Sequence, residues 1–260
     1  MPRARLASAL RARLPAPLRG LIGVLRSVGI YYRPDRGEAL DRMHARFAGR
    51  GDLAFDIGSH VGDRIASFRR LGLRVVAVEP QPVLAHLLRL MYGLDRQVTV
   101  VQAAVGATPG KLRMHLNLDN PTVSTASADF IQAAAHDRNW RGQRWERQVT
   151  VPVTTLDALM ARFGEPRFVK IDVEGFEDQV LQGLSRAPAA LSFELTTIQR
   201  PVARAALGES ARLGYRRFNA ALGESQHLLH PTWLDAAGIR AWLDALPQSA
   251  NSGDIYALRD

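Results

Sequence analysis

The chain of 260 residues alternates between short apolar runs and segments whose apolar residues recur at helical spacing. The runs Leu53–Phe55 and Arg74–Val78 are typical of strands that are buried on both faces of a parallel sheet. Each is followed by a segment with one apolar face, as in Val61, Ile65 and Phe68. Strands that alternate with helices in this way predict an α/β fold with a parallel sheet and helices on both faces.

The alternation continues along the rest of the chain. We predict strands at 98–102, 112–118, 149–153, 168–173, 189–195 and 253–258, and helices at 82–91, 156–163, 202–213 and 234–246. Two further strands are expected, one entered at Gly214 and running through Phe218, and one near 227–229. No apolar run reaches the length of about 18 residues that a membrane-spanning helix needs, so we expect none.

A glycine turn follows the first buried strand. In Asp56-Ile57-Gly58-Ser59-His60-Val61-Gly62, Gly58 can adopt a positive φ and Gly62 lets the next helix approach closely. The free N–H groups at the start of that helix can hold a carboxylate or a phosphate. Only two of the three glycines of the dinucleotide fingerprint G-x-G-x-x-G are present, so the turn does not favour an NAD site.

An acidic residue ends the second strand. Glu79 lies 17 positions after Gly62, about where a βαβ unit brings a carboxylate to a pair of ribose hydroxyls. A charge that stabilises the N-terminus of the following helix is the alternative. The glycine turn upstream favours the ribose interpretation, and the two features together indicate a nucleotide-like cofactor.

A second acidic motif, Lys170-Ile171-Asp172-Val173-Glu174-Gly175, ends the central strand. If the strand stays extended, alternation places Lys170, Asp172 and Glu174 on one side; the alternative is that Glu174 already lies in the turn. The two carboxylates can bind a cofactor ammonium group, orient an acceptor or take a proton, and Lys170 can pair with one of them. Glu194 ends the next apolar strand, where a carboxylate is costly unless it is paired or at the open edge of the sheet. We expect it to join the same site.

These motifs together resemble the S-adenosylmethionine-dependent methyltransferases, and within them the FkbM-type family. The resemblance extends over residues 53–184, about half of the chain, and its most specific part is the KIDVEG motif that begins at Lys170. One position departs from the family pattern, because Ser59-His60 stands where the family usually has a small residue and Asn. The matching segments are Phe55–Gly58, Val61–Gly62, Val78–Pro80, Val153 with Thr155–Asp157, and Lys170–Glu177.

The resemblance implies a Rossmann-like, seven-stranded class I methyltransferase sheet with helices on both faces, and S-adenosyl-L-methionine as the cofactor. It places the amino acid end of the cofactor at the glycine turn, the ribose at Glu79, the adenine near Gln102 and Ala103, and the methyl group near Asp172. The implied cofactor-binding residues are Asp56, Gly58, Ser59, His60, Gly62, Glu79, Gln102, Ala103 and Asp172.

The candidate catalytic residues are Asp172, Glu174, Glu194 and Lys170. We predict no metal site. A magnesium-dependent variant that uses Asp172, Glu174 and Glu194 is an alternative that we do not favour. The scattered histidines do not reproduce the spacing of a zinc pair, and the absence of cysteine excludes disulfides, thiolate nucleophiles and cysteine-ligated metals.

The net charge of +9 comes largely from the N-terminal segment. Before Asp35 the chain has seven arginines and no acidic residue, which leaves +2 for residues 35–260. Leucines at helical spacing lie among these arginines, so residues 1–33 can form an interfacial helix on anionic lipid or a helix that packs on the domain. We predict a basic helical extension at 1–34 and a single methyltransferase domain at 35–260.

Residues 119–148 interrupt the strand and helix pattern, and we predict that they form an insertion that binds the acceptor. Trp140 and Trp145 lie among four arginines, where they can stack on a sugar ring or a base beside groups that bind phosphate or carboxylate. Packing of both tryptophans onto the domain is the alternative.

We therefore expect an S-adenosylmethionine-dependent O-methyltransferase that acts on a hydroxyl of a sugar, a glycan or a specialised metabolite. The preference for oxygen and for glycans comes from the resemblance alone. A cytoplasmic location is expected, with a peripheral position at the inner face of a membrane as an addition. A nucleic-acid methyltransferase is one alternative, although no RNA-binding signature is present. The other is a catalytically silent domain that binds a partner or a membrane. The oligomeric state is not predicted.

Overall fold

The computed structural model describes residues 14–259. Among these residues lie ten strands: β1 Leu53–Ile57, β2 Arg74–Val78, β3 Val98–Val101, β4 Ala104–Val105, β5 Gly110–Leu116, β6 Arg147–Thr154, β7 Phe168–Ile171, β8 Ala190–Thr196, β9 Arg217–Leu222 and β10 Ser252–Leu258. Seven of them form one sheet in the order β3-β2-β1-β7-β8-β10-β9. Neighbours from β3 to β8 are parallel, and β10 is antiparallel to both β8 and β9.

Helices pack on both faces of this sheet. Alternate strand residues face opposite sides, so Phe55 and Ile57 of β1 join one apolar cluster while Ala54 joins another. The predicted Rossmann-like α/β fold is confirmed. The helices are α1 Ala16–Tyr31, α2 Pro34–His44, α3 Asp63–Arg70, α4 Pro82–Tyr92, α5 Ala128–His136, α6 Leu156–Phe163, α7 Glu177–Gln182, α8 Arg200–Arg212 and α9 Ala236–Ala245.

A second, three-stranded sheet was not predicted from the sequence. Its order is β4-β6-β5, with β6 parallel to β4 and antiparallel to β5. The chain between β5 and β6 contains α5, and Val123, Phe130, Ala134 and Trp140 form a small apolar cluster there. The segment between these two strands therefore has a core of its own.

Two predicted elements differ from the structure at the far edge of the sheet. The strand expected near 227–229 is absent from the described residues, where this segment makes only one main-chain bond to β9, from Leu229 N–H to the Ala220 carbonyl. The strand expected from Gly214 begins instead at Arg217, because Gly214 has a φ of 98° and ends the preceding helix in a turn. The antiparallel pair at this edge consists of β9 and β10.

The N-terminal helix α1 packs on the domain along one face only. Gly23, Val24 and Ser27 are buried, and a Cβ on Gly23 would lie 2.4 Å from the Leu118 carbonyl oxygen. Residues 1–13 of the predicted basic extension lie outside the described residues. In the part of the chain that the structure describes, no helix is both long and apolar enough to cross a membrane.

Candidate functional site

The glycine turn after β1 lies directly against the end of β7. Gly58 has a φ of 85°, and a Cβ on it would lie 1.8 Å from the Asp172 carbonyl oxygen. Gly62 has a φ of 87°, and a Cβ there would lie 2.7 Å from Leu88 Cδ2. Both positions require glycine, for conformation and for space, as the sequence predicted.

A cavity of about 250 Å³ opens at the carboxyl ends of β1, β2, β7 and β8. Open α/β sheets bind their ligands at this edge. Seven of the predicted site residues line the cavity: Gly58, His60, Glu79, Ala103, Asp172, Glu174 and Glu194. Other lining residues come from α1, from the insertion and from the residue that precedes β10; they include Tyr31, Thr122, Trp140 and Asn251.

Glu79 is buried at the end of β2. Its Oε2 accepts the N–H of His60 at 2.8 Å, and its Oε1 accepts the N–H of Gln81 at 2.8 Å. Burial raises the pKa of Glu79 to about 8, although both hydrogen bonds favour the charged form. Each carboxylate oxygen can accept a further hydrogen bond.

Asp56 begins the glycine turn and His60 lies within it. Asp56 is fully buried beneath it, both carboxylate oxygens have no partner among the described residues, and burial raises its pKa to about 7. His60 has a φ of 48° and packs edge-on against Tyr31, with ring centroids 5.3 Å apart. Its Nε2 lies 3.3 Å from Thr122 Oγ1, and burial lowers its pKa to about 4.

Two buried cations hold Asp172. Arg64 Nη2 lies 2.9 Å and Lys170 Nζ lies 3.4 Å from the same oxygen, Oδ2. Lys170 Nζ also donates to Asp254 Oδ1 at 2.6 Å. Burial disfavours the charge on Asp172, but Lys170 and Arg64 outweigh it and hold the pKa of this carboxyl below its ordinary value. For Lys170, burial is likewise outweighed by Asp172 and Asp254, which raise its pKa.

Asp172, Glu174 and Glu194 form one carboxylate cluster, in which one oxygen of each lies within 4.8 Å of the others. Glu174 has a φ of 58° and Gly175 a φ of 89°, so the chain leaves the strand direction after β7 and turns Glu174 into the cavity. Oε2 of both glutamates is buried without a hydrogen-bond partner among the described residues. Burial, and then the neighbouring carboxylates, raise the pKa of Glu174 and of Glu194 well above the ordinary value.

The remaining predicted site residues lie outside the lining of the cavity. Asp56, Ser59 and Gly62 are buried behind the turn, and Lys170 is buried behind Asp172. Gln102 accepts a hydrogen bond of 3.0 Å from Arg89 Nη1 on α4, so only its neighbour Ala103 borders the cavity.

Sequence reasoning missed two charged partners of the site. Asp254 lies in the apolar strand β10, and the argument that drew attention to Glu194, a carboxylate in an apolar run, applies to it equally. Arg64 lies in the first turn of α3, where nothing in the sequence shows that its side chain reaches Asp172.

The tryptophans of the insertion pack on Phe130. The ring centroid of Trp140 lies 4.9 Å and that of Trp145 lies 6.3 Å from the Phe130 ring. Trp145 Nε1 donates to the Val123 carbonyl at 2.8 Å, whereas Trp140 also borders the cavity and its Nε1 has no partner among the described residues. Arg144 forms ion pairs with Asp119 and Glu146.

The sequence matches the family model of the methyltransferase FkbM domain over residues 56–237. Among solved structures, the chain is similar to a TehB-like SAM-dependent methyltransferase from Corynebacterium glutamicum ATCC 13032 Kitasato, with 11% identity, 91% of this chain and 94% of that chain covered, and a TM-score of 0.47. It is also similar to precorrin-6y C5,15-methyltransferase from Geobacter metallireducens GS-15, with 12% identity, 86% and 87% covered, and a TM-score of 0.44. No curated protein matches the chain by sequence.

The matched segment contains the glycine turn, Glu79, the carboxylate cluster and the whole insertion, and it covers more than half of the chain. The resemblance inferred from the KIDVEG motif is thereby confirmed. The chain belongs to the FkbM-domain methyltransferases, a family whose methyl donor is S-adenosylmethionine.

Proposed function

We propose that this chain transfers a methyl group from S-adenosylmethionine to a hydroxyl of a sugar, a glycan or a specialised metabolite. The observation that carries the proposal is the arrangement of acidic groups along the cavity. Glu79 follows β2 and Glu194 lies on β8, and these strands are three positions apart in the sheet, about 14 Å at the usual strand spacing. That distance accommodates a nucleoside at one end and an acceptor at the other.

The residues around the glycine turn fit the cofactor. Each oxygen of Glu79 accepts one backbone N–H and retains a lone pair for a ribose hydroxyl. Gly58, His60 and Ala103 border the same part of the cavity, while Asp56, Ser59 and Gly62 support the turn from behind. When bound, the cofactor supplies a methyl group on a positively charged sulfonium, and the carboxylate cluster favours positive charge in this cavity.

The carboxylate cluster suits a hydroxyl acceptor, because a hydroxyl must lose its proton as the new bond forms. Glu174 and Glu194 each have an unpaired buried oxygen that can accept this proton. Asp172 is fixed by Arg64 and Lys170 and orients the acceptor. Lys170 does not reach the cavity, so we assign it a positioning role.

The insertion at 119–148 supplies one wall of the acceptor site in this proposal. Thr122, Val123, Ser124 and Trp140 of the insertion line the same cavity as the carboxylates and add uncharged side chains to it. An indole ring beside hydroxyl-binding carboxylates is a suitable surface for a sugar ring. Residues 35–260 then act as one catalytic domain that includes this insertion.

A peripheral membrane contact through residues 1–33 is a further part of the proposal. Leu18, Leu21 and Leu25 of α1 are exposed on the face opposite to the buried Gly23 and Ser27. An apolar stripe on an arginine-rich segment favours the surface of an anionic membrane, and the lack of cysteine accords with the cytoplasm.

The test is calorimetric titration with S-adenosylmethionine and S-adenosylhomocysteine on the intact chain, on Glu79→Ala and on the control Glu38→Ala, whose side chain is exposed on α2. We expect micromolar binding that weakens at least about tenfold in Glu79→Ala and stays unchanged in the control. Unchanged affinity in Glu79→Ala would remove the ribose assignment.

Acceptors are then screened by transfer of a labelled methyl group to glycans, hydroxylated metabolites and RNA. Label that enters an ether of a glycan or metabolite supports the proposed acceptor class. Label that enters RNA, with steep salt dependence and loss in Arg141→Ala, would replace it with the nucleic-acid alternative.

A further inference from the structure

The carboxylate cluster has more negative charge than the surrounding residues neutralise. The two buried cations beside it, Arg64 and Lys170, both contact Asp172 Oδ2, and Lys170 is also paired with Asp254. Neither cation forms an ion pair with Glu174 or Glu194 within the described residues. The cluster is therefore short of positive charge at the side that faces the cavity.

Burying a carboxylate oxygen without a partner is strongly unfavourable unless the carboxyl is protonated or meets a cation. Glu174 is 6% exposed, its Oε2 has no partner, and its left-handed backbone directs it towards Asp172 and Glu194. Asn251 lines the same cavity with a buried amide oxygen that also lacks a partner among the described residues. Charged and neutral oxygen acceptors without donors thus face one space.

We propose that Asp172, Glu174 and Glu194 bind a divalent cation that prefers oxygen ligands, such as Mg²⁺ or Mn²⁺. One oxygen of each carboxylate lies within 4.8 Å of the others. Two ligands on opposite sides of such an ion are about 4.2 to 5 Å apart, since metal–oxygen distances range from about 2.1 to 2.5 Å. Small side-chain movements bring all three oxygens into contact with one ion.

The position of this site selects a type of acceptor. A cation held by three protein oxygens keeps open positions for two or three further oxygens, and it lowers the pKa of a hydroxyl that binds to it. The proton of that hydroxyl then passes to the carboxylate oxygen of Glu174 or Glu194 that does not contact the ion. An acceptor with two adjacent oxygen atoms, such as a vicinal diol or a hydroxy acid, can chelate the ion beside the cofactor. This choice of acceptor rests on the proposed function, whereas binding of the ion does not.

The experiment measures Mn²⁺ binding by electron paramagnetic resonance in the chelator-treated full chain, without cofactor or acceptor. The variants are Glu174→Gln and Glu194→Gln, which retain side-chain shape and remove charge. The control is Glu165→Gln, whose one ion pair within residues 14–259 is with the exposed Arg186. We expect one saturable site that weakens at least about tenfold in each cluster variant and is unchanged in the control. Circular dichroism and S-adenosylmethionine titration establish which variants are folded.

Absence of a saturable site at millimolar Mn²⁺ in folded protein would overturn the proposal, as would equal affinity in the wild type and in both cluster variants. In that case the two glutamates carry protons or face a cationic group of the acceptor.

Methyl transfer with and without a chelator separates this inference from the proposed function. Ion binding without transfer to any hydroxyl acceptor supports the ion site and counts against the proposed function. If methyl transfer to a hydroxyl is undiminished after complete removal of the ion, the result supports the proposed function. It overturns the inference that the acceptor chelates the ion.

Discussion

Glu79 lies beside the cavity and has a raised pKa. Because its pKa differs between the folded and unfolded states, the free energy of unfolding depends on pH. Its pKa in the folded chain is about 8, above the ordinary value of 4.5, because the carboxyl is buried. The folded state thus holds a proton that the unfolded state has lost between these two values. The resulting stabilisation is complete below pH 4.5 and is lost as pH rises to about 8.

Glu79→Gln removes this titration while retaining the shape of the side chain. Between pH 5 and 8, the free energy of unfolding of the wild type should fall relative to that of the variant by about 1.4 kcal/mol per pH unit. Urea unfolding at several pH values in this range measures the difference. Parallel pH profiles for the two proteins would show that Glu79 is ionised in the folded state throughout.

The buried pair of Lys170 and Asp254 makes a second prediction at the scale of residues. Asp254→Asn leaves the buried Lys170 with Asp172 alone, at 3.4 Å, and Lys170→Met removes the cation that Asp254 contacts. Each change should therefore destabilise the chain by about 3 kcal/mol. The double variant should be less destabilised than the sum of the two by at least about 1 kcal/mol. Chemical denaturation measures all four proteins.

The exposed pair of Arg186 and Glu165, at 3.2 Å, is the matched control for this cycle. Its coupling should be below about 1 kcal/mol, because solvent screens it. If the coupling energy between Lys170 and Asp254 is also below about 1 kcal/mol, the buried pair does not act as a unit.

The acidic residues of the site were predictable individually, but their partners were not. The rule that parallel strands end at one edge was enough to bring Glu174 and Glu194 to Asp172. Arg64 reaches this group from a helix, and side-chain direction on a helix depends on packing that a single sequence does not specify. The unpaired state of Asp56 also depends on burial by distant segments.

At the scale of elements, the contact between the glycine turn and β7 makes a third prediction. Gly58→Ala would place a methyl group against the Asp172 carbonyl, whereas Gly51, with a φ of 88°, has open space around the same position. Gly51→Ala should cost only the strain of the left-handed conformation, about 1 kcal/mol. Gly58→Ala should cost at least about 2 kcal/mol more and abolish binding of S-adenosylmethionine.

Denaturation midpoints and calorimetric titration of the two variants test this difference. Equal losses of stability, with cofactor affinity retained in both, would mean that the turn does not need its close approach to β7.

Local signals predicted some elements to the residue and failed for others. The helix at 156–163 was predicted with its observed bounds, since Thr155 caps its start and Gly164 follows its end. Strand β6 pairs with β4 and with β5, and β5 is separated from it by the whole insertion. Periodicity identifies a strand without identifying its neighbours. The strand wrongly expected near 227–229 rested on a short apolar run, which is weak evidence for pairing.

At the scale of the whole molecule, apolar and basic surface coincide at the N-terminal segment. Leu21 and Leu25 are 51% and 61% exposed on α1, and Val83 and Leu90 of the nearby α4 are 60% and 71% exposed. Val24 of α1 and Leu84 and Leu87 of α4 belong to one apolar cluster, which places the two helices side by side. Within the described residues, Arg26 and Arg33 of this segment are exposed, whereas Arg19 is buried and pairs with Asp119 and Glu146.

We therefore expect the chain to sediment with vesicles that contain anionic lipid, and less so as salt increases. Leu21→Ser combined with Leu25→Ser should reduce the bound fraction severalfold, whereas Leu229→Ser, at a site 43% exposed elsewhere, should not. If the Leu21→Ser and Leu25→Ser double variant binds vesicles as well as Leu229→Ser does, the binding comes from charge alone. Sedimentation without dependence on lipid charge would contradict the proposed contact.

The antiparallel strand β10 has a consequence for synthesis of the chain from its N-terminus. It lies between β8 and β9, although both precede it in sequence, and it supplies the partner of Lys170. A nascent chain that extends only through β9 therefore has β8 as an open sheet edge and lacks one counter-ion of its buried ammonium group. The cofactor cleft is therefore completed late. Until residues 252–258 emerge from the ribosome, the unpaired edge of β8 should be accessible to chaperones.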